Sequence, residues 1–194
     1  MTRLILLLAA LALSACSTVG SAPHQQVYDF GPAPAASPVK LKLSTLVVAE
    51  ASGAAPLDTP QILYRLLYAD PLQTRAYANS HWSSSPLQLL SQRVRTRLAD
   101  SGIGVLGTAD ARSGAPVLKL EVLDFSHSFA GPASSSGRVS VRASVFNGSR
   151  LQAQQTFTQT SPAGTHDAAG GVAALVRATD ALSAELLQWL AQLP

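Results

Sequence analysis

A single cysteine, Cys16, serves the whole 194-residue chain, so no internal disulfide can form. Charge is scarce too: 14 Lys and Arg against 11 Asp and Glu leave a formal net charge of +3, too weak a basic field to make nucleic acid an expected partner. The four histidines, His24, His81, His127 and His166, share no i,i+3 or i,i+4 spacing, and with one cysteine they supply no metal-ligand motif. Nowhere do roughly 20 apolar residues run together, the length a membrane-crossing helix requires. No Walker sequence G-x-x-x-x-G-K-[ST] is present, so this chain carries no P-loop with which to serve as an ATPase. A nucleophile elbow is also missing, since Asn147-Gly148-Ser149-Arg150-Leu151 lacks the second glycine of Gly-x-Ser-x-Gly. Gly102-Ile103-Gly104-Val105-Leu106-Gly107 matches G-x-G-x-x-G literally, but a helix is expected before it and a strand after it. That order is the reverse of a dinucleotide site, and it reads as a helix cap and turn.

What is present begins at the N-terminus. Arg3, an apolar stretch from Leu4 to Leu13, and then Ser14-Ala15-Cys16 have the layout of a signal peptide. The tetrad Leu13-Ser14-Ala15-Cys16 resembles the bacterial lipobox, in which the thiol is alkylated by diacylglycerol and the chain is cut just before it. That resemblance implies S-diacylglycerol and an N-acyl group on Cys16, and no cofactor beyond this covalent lipid is expected. Two or more acyl chains anchor stably, because each buried methylene contributes about 0.8 kcal/mol. Ser17 is not the aspartate that in many such lipoproteins marks retention in the inner membrane, so the outer membrane, on its periplasmic face, is the expected location. Removal of residues 1–15 leaves 179, enough for one domain with a sizeable core.

Residues 16–38 are rich in Ala, Pro and Ser and read as a lipidated tether and lead-in segment, with Val27-Tyr28-Asp29-Phe30 as its one short strand. Residues 39–194 form the expected domain. Alternating apolar positions predict strands over 39–49, 61–69 and 74–81, the last two forming a hairpin, and over 105–108 and 116–125. Residues 131–137 read as a flexible connection. Asn147-Gly148 predicts a tight turn between strands over 139–145 and 151–158. Ser85-Pro86-Leu87-Gln88 is a capping box that starts a helix, with Leu87, Leu90, Val94 and Leu98 as its apolar stripe, Arg93 and Arg97 on its wet side, and Gly102 as its C-cap. A second helix is expected from Ala168 to Leu193. The fold class is α+β: a mostly antiparallel or mixed sheet with both helices on one face.

Tyr64, Arg65, Tyr68, Tyr77 and Trp82 concentrate in the 61–82 hairpin. They read either as a rim for a protein or lipid partner or as core packing, with Trp82 on the core side. Leu57-Asp58-Thr59-Pro60-Gln61-Ile62-Leu63-Tyr64-Arg65, then Tyr77, Trp82, Pro86 and Leu89-Leu90, with Tyr28-Asp29-Phe30 upstream, resemble the ABC-type transport auxiliary lipoprotein family, including the PqiC-like lipoproteins associated with Mce-domain transporters. The resemblance implies a periplasm-facing accessory lipoprotein, not an enzyme. Its implied partners are an Mce-domain protein, an ABC permease and an ATPase, and the task is intermembrane movement of phospholipid or another hydrophobic molecule. It leaves homo-oligomer formation open. Two other classes are separable by experiment: an envelope lipid- or glycan-modifying enzyme, which would turn over substrate, and a chaperone for outer-membrane assembly, which would bind a barrel protein.

Overall fold

The computed structural model describes residues 24–35, 39, 41–110 and 114–193. The expected signal peptide, Leu13, Ser14, Ala15 and Cys16 lie outside the described residues. The molecule is built around one long strand, β7 (Val117–Gly131). One edge of β7 is paired along its length by antiparallel β8 (Ser134–Asn147), which in turn pairs with antiparallel β9 (Arg150–Pro162) across the Asn147-Gly148 turn. Gly148 has φ +58°, the left-handed conformation such a turn needs.

The other edge of β7 is filled by three successive pieces of a single stretch of chain. Strands β2 (Thr45–Val48), β3 (Ser52–Gly53) and β4 (Gln61–Leu66) all run parallel to β7, meeting it at residues 117–118, 121–122 and 127–129. A 3-10 turn at Ala55–Asp58, with a proline in its first turn, lifts the chain away between β3 and β4. The sheet therefore forks. β6 (Gly104–Leu106) continues it beside β2, while antiparallel β5 (Arg75–Trp82) and then parallel β1 (Gln26–Tyr28) continue it beside β4.

Helix α1 (Pro86–Asp100) starts where expected: the Ser85 hydroxyl accepts from the Gln88 amide. The Gln88 side chain accepts from Ser84 rather than turning back to the cap residue's amide. Gly102, at φ +86°, ends the helix, as its position in the glycine run predicts. Helix α2 (Ala168–Gln192) is capped by Asp167, whose carboxylate accepts from the Gly170 amide at 2.8 Å and the Thr165 hydroxyl at 2.6 Å. Both helices share one core, in which Leu90, Val94, Leu98, Leu175, Leu182 and Leu186 pack with Leu118, Leu120 and Val122 of β7 and Val139 and Val141 of β8. A register shift between Val122 and Asp124 changes the parity of β7, so that Phe125, His127 and Phe129 continue the inward row begun by Leu118.

Three expectations need correction. Of the described residues in 39–49 only Thr45–Val48 is a strand, because the partners β6 and β7 offer no ladder upstream of it. Residues 131–137 are not a loose connection: β8 begins at Ser134 and pairs with the far half of β7. Gly137 is there for space, since a Cβ on it would overlap the backbone of Leu175 in α2. Arg93 and Arg97 are not on a wet face; each is only 5% exposed.

Candidate functional site

The two buried arginines close a seam between α1 and the N-terminal lead-in. Phe30 enters the core edge-on to Trp82, with ring centroids 5.4 Å apart, and stacked on Phe125 at 6.0 Å. Immediately after it, Gly31-Pro32-Ala33-Pro34 crosses α1 as backbone without a ladder, so its carbonyls need donors from elsewhere. Arg93 Nη2 donates to the Phe30 carbonyl and, at 3.0 Å, to that of Gly31, while Arg97 Nη1 donates to the Pro34 carbonyl at 2.5 Å. The Arg93 guanidinium also lies 5.7 Å from the Phe30 ring centre and 3.4 Å from the Asp180 carboxylate on α2. Burial pushes the Asp180 carboxyl up, against the opposing pull of Arg93 and Arg97. One guanidinium thus ties together the lead-in, α1 and α2.

The hairpin residues singled out in the sequence divide into three environments. Trp82 is core. Tyr64 and Tyr77 pack across the β4–β5 pair with ring centroids 4.7 Å apart and planes tilted by 40°, and join His127 and Phe129 of β7 in an aromatic cluster at the end of the sheet. Arg65 reaches toward its own turn, donating to the Pro71 carbonyl at 3.4 Å. His127 is fully buried beneath Gly171 of α2, where a Cβ would overlap its ring. Its Nδ1 pairs with the Tyr77 hydroxyl at 2.9 Å, and Nε2 has no partner among the described residues. Burial lowers the His127 pKa to about 4, with His166 adding to the shift and Asp167 opposing it. Burial, then Tyr64 and Asp167, raises that of Tyr77 to about 12. Both groups are held neutral, which suits a packed polar joint more than proton transfer at neutral pH.

Sequence reasoning missed His127, Arg93 and Asp180. The i,i+2 spacing of Phe125, His127 and Phe129 was the available signal for the first. Nothing local marks the other two, whose partners lie more than 60 residues away. A broad open groove of about 830 Å³ flanks α1 on its other side, lined by Ser52, Asp58, Gln88 and Gln92 and rimmed by the Arg95–Glu50 ion pair at 2.8 Å.

These features define a class: a one-domain α+β module whose N-terminal lead-in is built into its core. The chain belongs to the ABC-type transport auxiliary lipoprotein component family, whose model matches residues 28–186. Among solved structures it is similar to a crystal structure of a protein from Xanthomonas campestris, with a TM-score of 0.76 and 24% identity over 86% of this chain and 95% of that one. It is also similar to a crystal structure of an uncharacterised protein, with a TM-score of 0.68 and 15% identity over 86% and 99% of the two chains. Both likenesses are of fold. Comparison by sequence with curated proteins gives no match.

Proposed function

We propose that this chain is a non-enzymatic docking subunit of an Mce-type ABC system that moves phospholipid or a similar hydrophobic molecule between membranes. It is held by lipid on Cys16 to the periplasmic face of the outer membrane. The observation that carries this reading is the family match, which runs from Tyr28 in β1 to Leu186 in α2 and so spans the described domain. The lipobox-like Leu13-Ser14-Ala15-Cys16 supports the anchor. In this reading residues 1–15 are removed, 16–38 form the lipidated lead-in and 39–194 the auxiliary domain. Tyr64, Tyr77 and Trp82 hold the hairpin in shape, and Arg65 braces its turn. The ATPase, permease and Mce-domain protein are partners that supply energy and path.

The test is co-purification of the tagged, full-length lipoprotein with an Mce-domain protein of the same organism, in mild detergent. Association is expected, together with detergent sensitivity of a deletion strain. No association, with lipid asymmetry and detergent resistance unchanged by deletion, would remove the transport role.

A further inference from the structure

Most exposed large apolar side chains on a domain are scattered and need no explanation. Here three of them share one turn. Leu67, Tyr68 and Leu72, at 44%, 50% and 90% exposure, all lie in the connection between β4 and β5. The turn holds its shape through its own polar groups: the Asp70 carboxylate accepts from the Leu72 amide at 3.0 Å, and Ala69 and Asp70 both donate backbone bonds to the Leu66 carbonyl. Arg75 at its base donates to Gln73 at 2.7 Å. Asp70 and Arg75, though exposed, are thus engaged by partners within the loop, and Leu67, Tyr68 and Leu72 are left as its exposed apolar side chains.

The loops that accompany this turn carry little charge. The Leu67 amide donates to the Phe129 carbonyl, which brings the β7–β8 turn with Pro132 and Ala133 to the same end. The Ala163 amide donates to the Ser135 carbonyl, which brings Gly164 and Thr165 there as well. Asp167, the acidic group of that loop, is engaged in capping α2.

The chain's N-terminal side leads to the same end. β1 runs parallel to β5, with Gln26 opposite Ser80, so the chain before Gln26 is directed toward Arg75 and the turn beyond it. From Ser80 to Arg75 is roughly 17 Å at about 3.3 Å per residue. Eight residue steps separate Cys16 from His24, a reach of at most about 29 Å. A lipid on Cys16 can therefore enter a bilayer lying against the turn, and the short reach keeps the domain's other end away from that bilayer.

We propose that the β4–β5 turn is a membrane-contacting tip. Leu67 and Leu72 enter the acyl boundary and Tyr68 lies at headgroup level in the phospholipid leaflet that holds the anchor. The position of the anchor rests on the reading of Cys16 given above; the apolar tip does not.

Full-length lipoprotein carrying Leu72→Trp is reconstituted into vesicles of phosphatidylethanolamine and phosphatidylglycerol with bromines on the acyl chains. Its emission is compared with that of the parent and of Leu151→Trp, an exposed site beside the β8–β9 turn at the far end. Loss of the added emission from Leu72→Trp and none from Leu151→Trp is expected. In a Cys16→Ala background, Leu72→Asp should lower residual vesicle flotation further. Mass analysis of the N-terminal peptide separates the two readings. Acylated Cys16 with no quenching at position 72, or equal quenching at both sites, overturns the tip while the anchor stands. Unmodified Cys16 with quenching confined to position 72 supports the tip and removes the anchor. A shift of the Leu72→Trp emission only on addition of the Mce-domain protein assigns the surface to protein docking and overturns the proposal.

Discussion

Removing the Arg93 guanidinium would strip four partners at once: the Phe30 and Gly31 carbonyls, the Phe30 ring and the Asp180 carboxylate. Breaking a buried pair from one side typically costs 3–5 kcal/mol. Asp180 keeps 19% side-chain exposure, so Arg93→Met should lose about 3 kcal/mol by urea denaturation, the low end of that range. Arg93→Met with Asp180→Asn should lose less than the single substitution, because no uncompensated carboxylate remains. His127 makes a different prediction. Its folded pKa of about 4 lies below its ordinary 6.5, so between these values the unfolded chain binds more protons than the folded one. Stability should be full above pH 6.5 and fall as pH drops through that window, by at most about 3 kcal/mol. His127→Phe, which cannot charge, should flatten the slope between pH 7 and pH 4.5. Tyr77→Phe should cost about 1–3 kcal/mol at neutral pH by leaving Nδ1 unpaired.

At the level of elements, both long helices and the β8–β9 hairpin could be read from the chain because their signals are local: Ser85 and Pro86 start α1, Gly102 ends it, and Asn147-Gly148 turns β8 into β9. Residues 131–137 could not, because Ser134-Ser135-Ser136-Gly137 has the composition of a loop and becomes strand only by pairing with β7 beneath α2. Nor could the parity switch at Leu123 and Asp124, which exists to keep Phe125 and His127 inward. The seam was illegible for the same reason: Arg93 and Arg97 look solvated until a chain segment more than 60 residues upstream is laid over them. Gly171 tests which level prevails. Helix propensity alone favours Gly→Ala by about 1 kcal/mol. The added Cβ would instead strike the His127 ring, and overpacking of this kind costs about 1–3 kcal/mol. Gly171→Ala should therefore destabilise on balance in thermal melts, whereas Ala169→Gly, at an exposed position of the same helix, should cost only the propensity term.

For the whole molecule the question is how a lipid at one end of the chain is coupled to a folded body. β1 is part of the sheet, Phe30 is part of the core, and the segment from Phe30 to Pro34 is fastened to α1 by two arginines. Any pull on the N-terminus is thus delivered to the β5 edge and the α1 seam. The contacts that hold this framework run from β1 to α2 within the described residues. Cys16→Ala should accordingly leave the urea midpoint and melting temperature of the domain unchanged, move the protein from the membrane to the soluble periplasmic fraction, and fail to restore detergent resistance to a deletion strain. Loss of folding would mean that residues near Cys16 belong to the domain. Release with full complementation would mean that partner contacts alone position the module and that the anchor is dispensable.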